Sequence, residues 1–407
     1  FIGANTKEYT HCFHTYPATM ISHVARNLIQ KYGTEGMNLL DPYCGSGTSL
    51  VEARLAGMNG FGFDLNHVAR KISQVKTINY DLTKLSDAVE QTLSDIADIE
   101  MVGIIESIKK SGFESAKVRS WYHDKTIKEI SSLLNYFDNC DFEESIDWFL
   151  RLTLSDCLRE VAFQRNHEFK LYRIKSDERK DLDIPLFPLF SKKLKRNLNG
   201  VKSYSDALSE NGYLENTSAE ISNQNTVLTD SLNNLPEIDI VVTSPPYGDS
   251  ETTVAYAQFS WLSNVWLGLD VRSPGQLDRE LMGGFVSKKI EQTNCLEIDS
   301  AIAEIEKINE KRAREVYSFY RDYKLSIKHV STNIKIGAYA CYVVGNRTVQ
   351  GQFLRTDIFT KEAFEEYGFQ HIETAIRKLP NTRMPGLISP TGKKGKTAPT
   401  MKNEYIV

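Results

Sequence analysis

Two consecutive stretches of this chain repeat one pattern, a short apolar strand followed by a turn and a helix. In the first, MNLLDPYCGSGTSLVEARLAG (37–57), the apolar run ends at Asp41 and a turn with two glycines leads into a helix. The second, NGFGFDLNHVARKISQVK (59–76), turns at Asp64. Successive units of this kind join parallel strands through right-handed crossovers. The sequence therefore predicts an α/β fold built on a parallel sheet.

The rest of the chain divides into a helical middle and a second group of strands. Between residues 80 and 222 apolar residues recur with helical spacing, and the strand signal nearly vanishes. The strand pattern resumes in NTVLTDSL (225–232) and IDIVV (238–242), and it returns later in AYACYVVGN, FQHIETAI and NEYIV. Further helices are predicted over 20–33, 254–269 and 296–330. We therefore expect 80–222 to be a helical insertion.

Composition limits the classes to which the protein can belong. A length of 407 residues favours two or three domains, and the formal charge of −4 gives no overall sign of a nucleic-acid partner. No apolar run reaches the roughly 18–20 residues of a membrane helix. The six cysteines occur singly, without zinc-ligand spacing. We expect a cytoplasmic protein with no metal site and no membrane association, whose natural start precedes Phe1.

The turn after the first strand has the features of a ligand-binding loop. Gly45 and Gly47 allow a ligand to approach the backbone, and a helix that begins near Thr48 offers free N–H groups. The pattern departs from the dinucleotide fingerprint, because Ser49 or Leu50 takes the place of the third glycine. Taken alone, such a turn is more often a tight connection than a binding site.

Acidic residues follow the next two predicted strands. Asp64 can accept hydrogen bonds from both ribose hydroxyls of a nucleoside, and the alternative is that Asp64 or Asn66 caps the next helix. Asp230 ends the third predicted strand, from which a side chain can reach an adenine ring. Each acid alone would fit one part of a bound nucleoside.

A rigid polar turn follows the fourth predicted strand. Two prolines in VVTSPPYGDSETT (241–253) end this strand, because neither has an N–H to donate. The turn holds the Ser244 hydroxyl, the Pro245 carbonyl and the Tyr247 ring in defined positions. A turn that only connected two elements would more often contain Gly, Asn or Asp.

In this order, DPYCGSGTSLVEA, GFDLN, TDSL and TSPPYG resemble the motifs of the DNA amino-methyltransferases that use S-adenosylmethionine. FHTYPATM (13–20) is similar to the N-terminal element that closes over the cofactor in that family. The resemblance implies a Rossmann-like methyltransferase sheet with helices on both faces. The cofactor-binding residues that it implies are Tyr16, Pro17, Asp41, Tyr43, Gly45, Gly47, Thr48, Asp64, Leu65, Asp230 and Thr243. The catalytic residues that it implies are Ser244, Pro245, Pro246 and Tyr247.

The proline-rich turn suits methyl transfer to an exocyclic base amine. Such an amine is a poor nucleophile, and Ser244 Oγ and the Pro245 carbonyl can accept its hydrogens. Tyr247 offers a stacking face for a base that has left the duplex. Serine in the first position resembles the cytosine-N4 enzymes more than the adenine-N6 enzymes, and both stay open. Methylation of cytosine C5 needs a cysteine nucleophile, and the chain has no Pro-Cys pair.

Double-stranded DNA is the expected partner, and a cognate restriction endonuclease or defence-system subunit is a second candidate. Residues 165–202 hold eleven Lys or Arg against five Asp or Glu, and residues 377–402 hold seven basic residues and no acid. Such segments suit contact with phosphates, and solvated faces are an equal alternative. We predict a catalytic domain of residues 1–79 and 223–407, a DNA target-recognition domain at 80–222, and 271–335 as a second choice for recognition.

Two other functions fit parts of the sequence. The tRNA guanine-N2 methyltransferases have a similar DPYCGSGT turn and a similar Pro-Pro-Tyr turn. They usually carry an N-terminal RNA-binding domain, whereas 40 residues precede Asp41 here. The second alternative is a catalytically idle subunit that binds DNA or cofactor for a partner, and the intact turn at 244–247 argues against it.

Overall fold

The computed structural model describes most of the chain. The described residues are 4–104, 118–165, 170–175, 177–228, 232, 235–249, 253–270, 272–379 and 403–407. Asp230 and most of the basic segment 377–402 lie outside these ranges.

A mostly parallel sheet of seven strands forms the centre of the described structure. The described strands are β1 (Asn38–Asp41), β2 (Asn59–Phe63), β3 (Ala219–Ser222), β4 (Ile238–Thr243), β5 (Ile334–Val344), β6 (Arg347–Val349), β7 (Gln352–Leu354), β8 (Ala375–Lys378) and β9 (Asn403–Ile406). The sheet has the order β3-β2-β1-β4-β5-β9-β8, and β6 pairs with β7 in a separate hairpin. Strands β1 to β5 run parallel, whereas β9 runs antiparallel to β5 and β8.

Helices cover both faces of this sheet. The described α-helices are α1 (Ser22–Tyr32), α2 (Thr48–Leu55), α3 (His67–Thr77), α4 (Leu82–Asp95), α5 (Asp124–Asn139), α6 (Glu144–Leu158), α7 (Leu186–Glu210), α8 (Tyr256–Trp266), α9 (Pro274–Glu280), α10 (Leu296–Ile308), α11 (Glu310–Ser331) and α12 (Thr356–Glu365). Side chains alternate between faces along a strand. Leu39 and Val242 accordingly pack with α1 and α2, whereas Leu40 and Val241 pack with α10, α11 and α12. The predicted α/β fold is confirmed.

The strand order places three predicted site residues at one edge of the sheet. Strands β2 and β3 lie on one side of β1, and β4 and β5 lie on the other, so the order reverses between β1 and β4. In open α/β sheets ligands bind at this switch point, outside the carboxyl ends of the strands. Asp41, Asp64 and Ser244 stand at the carboxyl ends of β1, β2 and β4.

The helices of the insertion share a hydrophobic core with the rest of the protein. One buried cluster joins Phe149 of α6 and Phe190 of α7 to Val75 of α3 and Trp266 of α8. Strand β3 falls inside the range 80–222, yet it pairs with β2 in the central sheet, so the sheet resumes at residue 219. The assignment of DNA recognition to this segment stays a prediction.

Two strands lie elsewhere than the sequence pattern predicts. The third strand of the sheet is Ala219–Ser222, whereas residues 226–228 in the predicted strand form a turn. The sequence pattern did not indicate β3, because this edge strand has only four residues, AEIS, with little apolar content. Its position is decided by its pairing with β2. The strand predicted over 369–376 begins only at Ala375.

Candidate active site

A cleft opens at the carboxyl edge of the sheet, over the switch point between β1 and β4. It holds about 1030 Å³, its open mouth included. The predicted site residues that line it are Tyr16, Pro17, Asp41, Tyr43, Gly45, Thr48, Asp64, Leu65, Ser244 and Pro246. Gly47, Thr243, Pro245 and Tyr247 adjoin these residues along the chain but are not part of the lining. Asp230 lies outside the described residues.

The turn after β1 requires glycine at two positions. Gly45 and Gly47 have φ angles of +50° and +75°, which side chains rarely adopt. A Cβ atom on Gly47 would lie 2.8 Å from Ser73 Oγ and 3.1 Å from Ser73 Cα. The Ser73 hydroxyl also donates a hydrogen bond to the Gly45 carbonyl at 2.8 Å. The turn is therefore a cradle of backbone atoms held against α3, at the N-terminus of α2.

Asp64 links the turns that follow β1 and β2. Its Oδ2 accepts a hydrogen bond from the Gly45 N–H at 3.0 Å, and its Oδ1 accepts one from the Asn66 N–H at 2.7 Å. Asn66, not Asp64, caps α3, because its side chain accepts from the Val68 N–H at 3.2 Å. Burial raises the pKa of Asp64 to about 6, although both N–H groups oppose this. Each carboxylate oxygen keeps a further lone pair for a donor in the cleft.

Asp41 has most of its hydrogen-bonding capacity occupied by the protein. Its Oδ1 accepts from Thr243 Oγ1 at 2.5 Å and from the Tyr43 N–H at 3.1 Å, and its Oδ2 accepts from Ser49 Oγ. Burial raises the pKa of Asp41 to about 6 against the effect of these bonds. Asp41 thus joins β1, β4 and the first turn of α2 directly below the cleft.

The N-terminal segment 16–20 forms one side of the cleft. The Asn66 side-chain amide donates to the Tyr16 hydroxyl at 3.2 Å and to Ser260 Oγ at 2.6 Å. The Tyr16 ring packs edge-on against Phe259, with 6.1 Å between the ring centroids. These contacts tie the segment to the turn after β2 and to α8.

Two helices of the insertion hold this N-terminal segment in place. Asp156 of α6 accepts a hydrogen bond from the Thr15 N–H at 2.8 Å. Its Oδ2 also pairs with Lys193 at 2.8 Å and with Arg196 at 3.0 Å, both on α7. These two basic residues belong to the segment 165–202, so this part of the segment has partners inside the protein. The insertion therefore supports the wall of the cleft.

Loss of the Asp156 carboxylate is expected to destabilise the protein strongly. In Asp156→Ala the Thr15 N–H loses its acceptor, and the ammonium of Lys193, whose side chain is 7% exposed, keeps only the half-exposed Glu160 as an ion-pair partner. Breaking a buried pair from one side typically costs about 3–5 kcal/mol. We expect chemical denaturation to give a free energy of unfolding about 3 kcal/mol lower than that of the wild type.

Asp147→Ala, on the same helix, is the matched control. Asp147 pairs with Arg151 at 2.7 Å in an i,i+4 arrangement and is 24% exposed. Such partly exposed pairs contribute about 1 kcal/mol or less. Equal losses of stability in the two variants would contradict the structural role assigned to Asp156.

The loop after β3 supplies lining residues that the sequence analysis missed. Gln224, Asn225, Thr226 and Val227 line the cleft. The loop is attached to α11, where Ser326 Oγ donates to Thr226 Oγ1 at 2.6 Å. No sequence signal marked these residues, because the third strand was predicted after residue 224. They occupy the place after the third strand that the sequence analysis assigned to an acidic residue.

The Ser-Pro-Pro-Tyr turn is braced by β5 and β9. Ser244 Oγ lies 3.1 Å from the Val343 carbonyl oxygen and 3.2 Å from the Tyr247 hydroxyl oxygen, and it can donate its hydrogen to either. In both cases its lone pairs stay available to accept. The Tyr247 hydroxyl donates to Glu404 Oε1 at 3.1 Å, and Arg377 pairs with the other oxygen of Glu404. Burial and the charge of Glu404 raise the pKa of Tyr247, which therefore stays neutral.

A buried ion-pair cluster follows the turn directly. Asp249 Oδ2 lies 3.1 Å from Arg312 of α11 and 3.3 Å from Arg347 of β6. Asp249 is 6% exposed and held in these pairs, and residues 250–252 lie outside the described ranges.

A mostly parallel sheet with helices on both faces and a cleft at its switch point fits a Rossmann-like α/β methyltransferase domain. In agreement, the UPF0020 family model, described as an RMKL-like methyltransferase domain, matches residues 7–105. That region contains the N-terminal segment, the glycine turn and Asp64.

Curated relatives show the family. The type II methyltransferase M.MvaI of Kocuria varians is 35% identical, over 100% of this chain and 92% of its own length. The type II methyltransferase M.BsoBI of Geobacillus stearothermophilus is 21% identical over 91% of this chain and 80% of its own length. No solved structure gave a significant match. The chain belongs to the type II methyltransferases, which are site-specific DNA methyltransferases of restriction–modification.

Within the described ranges, every helix is too short or too polar to span a bilayer.

Proposed function

We propose that this protein transfers a methyl group from S-adenosylmethionine to the N4 amine of a cytosine in a specific double-stranded DNA sequence. The observation that carries the proposal is the position of Ser244 and Pro246 in the same cleft as the glycine cradle and Asp64. A methyl acceptor at the turn and a methyl donor on the cradle would then be neighbours. Their alignment in one cleft supplies much of the catalytic effect that a direct transfer needs.

The cleft fits a nucleoside that carries an amino-acid chain. Gly45 lines the cleft with bare backbone that a ligand can approach, and Gly47 keeps the turn packed on Ser73, with which a Cβ atom would collide. We assign the ribose hydroxyls to Asp64, whose oxygens have lone pairs to spare. The side-chain amides of Gln224 and Asn225 offer donors and acceptors to the edge of an adenine ring, in the role first predicted for Asp230. Bound there, S-adenosylmethionine would supply an electrophilic methyl group.

Cofactor affinity is expected to fall in mild acid because of Asp64. The pKa of this carboxyl is raised to about 6, so it is ionised above that pH and protonated below it. A ribose hydroxyl donates better to the ionised form. The affinity for S-adenosylmethionine should therefore reach its full value above the pKa of Asp64, and it should be about tenfold lower at pH 5 than at pH 8. Calorimetric titration with S-adenosylmethionine across this range measures the effect.

Asp64→Asn is the control for this pH dependence, because its amide does not titrate. We expect the variant to bind weakly and with a nearly constant affinity across the range. Asp41 has a pKa in the same range. An undiminished pH dependence in Asp64→Asn would therefore assign the titration to Asp41 and contradict the role given to Asp64.

The Ser-Pro-Pro-Tyr turn can prepare an exocyclic amine for attack. Ser244 Oγ donates to the protein and keeps its lone pairs, so it can accept one amine hydrogen. The Pro245 carbonyl is the second acceptor in our proposal. Two acceptors draw the nitrogen lone pair out of conjugation with the ring and towards the methyl group. Ser244 is a weak base, so the proton leaves after the transfer.

Product analysis tests the proposal and decides between bases. The protein is incubated with labelled S-adenosylmethionine and either unmethylated DNA or tRNA, and each nucleic acid is digested to nucleosides for mass spectrometry. Labelled N4-methylcytosine is the expected product, since serine precedes the prolines. N6-methyladenine would refute the choice of base and leave the site in place. Label in tRNA but not in DNA would instead assign the protein to RNA methylation, and no label in either would point to a subunit that depends on a partner.

A cognate restriction endonuclease is the partner expected for a protein of this kind. Methylation of every copy of one sequence would protect the host DNA from cleavage at that sequence. Digestion of plasmid DNA from cells that produce this protein, with a panel of endonucleases, would reveal the protected sequence.

A further inference from the structure

One loop of the protein presents two apolar side chains to the solvent. Phe285 is 64% exposed and Val286 is 46% exposed, in the segment GGFVSKK (283–289) between α9 and α10. Lys288 and Lys289, in the same segment, are exposed as well. Apolar side chains exposed together beside polar groups are typical of a surface that meets a partner. The two lysines favour a partner with negative charge.

Contacts place this loop beside the cleft. Met282, directly before it, lines the cleft. Gly283 packs so closely on α11 that a Cβ atom would lie 3.2 Å from Phe319 Cα. The guanidinium of Arg347 lies 5.5 Å from the centre of the Phe319 ring and also packs against Gly248, which follows the Ser-Pro-Pro-Tyr turn. Two side chains therefore connect the base of the loop to the catalytic turn.

The backbone of the loop is anchored although its side chains are exposed. The N–H of Gly283 donates to Asp322 Oδ2 at 2.9 Å, and the N–H of Ser287 donates to Ser318 Oγ at 2.8 Å. Both acceptors belong to α11, so the two ends of the exposed pair are attached to one helix. A loop whose backbone is already anchored loses less conformational freedom when it meets a partner.

We propose that Phe285 is a wedge that enters the DNA duplex beside the target base and fills the space left when that base turns into the cleft. The inference rests on the proposed function. Apolar side chains that insert between base steps unstack DNA, and an aromatic ring can stack on the bases that remain. Lys288 and Lys289 would meet the adjacent phosphates. Phe285 is thus a positioning residue, because it acts on the DNA around the target rather than on the reacting atoms.

The test compares Phe285→Ala with the wild type on two duplexes. The first carries the site that the wild type methylates in plasmid DNA, and the second has a mismatch at the target base. A mismatched base leaves the helix more easily, so it depends less on a wedge. We expect Phe285→Ala to lower kcat/KM about tenfold on the matched duplex and less than about threefold on the mismatched one. Affinity for S-adenosylmethionine and the melting temperature should match the wild type.

Ile336→Ala is the matched control, because Ile336 is a fully exposed apolar residue near the start of β5, at the opposite edge of the sheet. Ile336→Ala should leave kcat/KM unchanged on both duplexes. Phe285→Trp, which keeps an aromatic wedge, should retain most of the activity that Phe285→Ala loses. Equal losses for Phe285→Ala on both duplexes, or no loss on either, would overturn the wedge while leaving the methyltransferase proposal intact. A wild type that transfers no methyl group to plasmid DNA would overturn both proposals.

Discussion

Replacement of Tyr247 by alanine is expected to lower the rate of methyl transfer to DNA about a hundredfold, with little change in affinity for S-adenosylmethionine. In our proposal the ring stacks on the flipped base, and such stacking is worth about 1–3 kcal/mol. The Tyr247 hydroxyl also lies 3.2 Å from Ser244 Oγ and bonds to Glu404 at 3.1 Å. Without this hydroxyl, Ser244 Oγ would be held less firmly as an acceptor for the amine. Single-turnover kinetics and calorimetric titration measure the two effects separately.

Tyr247→Phe separates the contributions of the ring and the hydroxyl. It keeps the stacking face and removes only the bonds to Ser244 and Glu404. We expect a loss of about tenfold, smaller than that of the alanine variant. Glu404→Gln should lower the rate by a similar factor if the hydrogen bond from Tyr247 to Glu404 of β9 holds the turn in place. Near-normal transfer by Tyr247→Ala would show that the turn is not the catalytic site.

Gly47→Ala is expected to weaken cofactor binding about a hundredfold or more. The residue has a φ of +75°, where a side chain costs about 1–2 kcal/mol. Its new Cβ atom would also lie 2.8 Å from Ser73 Oγ and 3.1 Å from Ser73 Cα, so α3 or the turn must move. Because Ser73 bonds to the Gly45 carbonyl, that movement would distort the whole cradle.

Gly36→Ala is a matched control for this variant. Gly36 has a φ of +83°, but no atom lies within 4 Å of the position that its Cβ would take. It should show the backbone cost of about 1–2 kcal/mol without a change in cofactor affinity. Dissociation constants and unfolding curves for both variants check the comparison. If the two lost affinity equally, backbone strain and not the shape of the cradle would explain the effect.

The best-predicted parts of the site lie inside continuous segments. Asp41 and Gly47 belong to one strand–turn–helix unit, and Asp64 belongs to the next. In each unit the local chemistry is enough to predict the turn, since glycine conformation and strand ends are properties of a few adjacent residues. The parallel pairing of β1 with β2 and β4 then follows from the fold class, which brings these turns to one edge.

The third strand shows where local reasoning failed. The segment AEIS of β3 has a weaker strand pattern than NTVLTDSL, and only pairing with β2 selects it. As a result Gln224 and Asn225 line the cleft, although nothing adjacent to them in the sequence indicates a ligand.

The sequence by itself determined the α/β class, the glycine turn after β1, the acid that follows β2 and the Ser-Pro-Pro-Tyr turn, because each depends on neighbouring residues. The tertiary structure alone decided what surrounds them. Asp156 reaches Thr15 across 141 positions, and Glu404 reaches Tyr247 across 157. The loop that carries Phe285 likewise gains its place beside the cleft from the packing of Gly283 on α11. Contacts between residues so distant in the chain arise from the packing of whole elements, which no local pattern encodes.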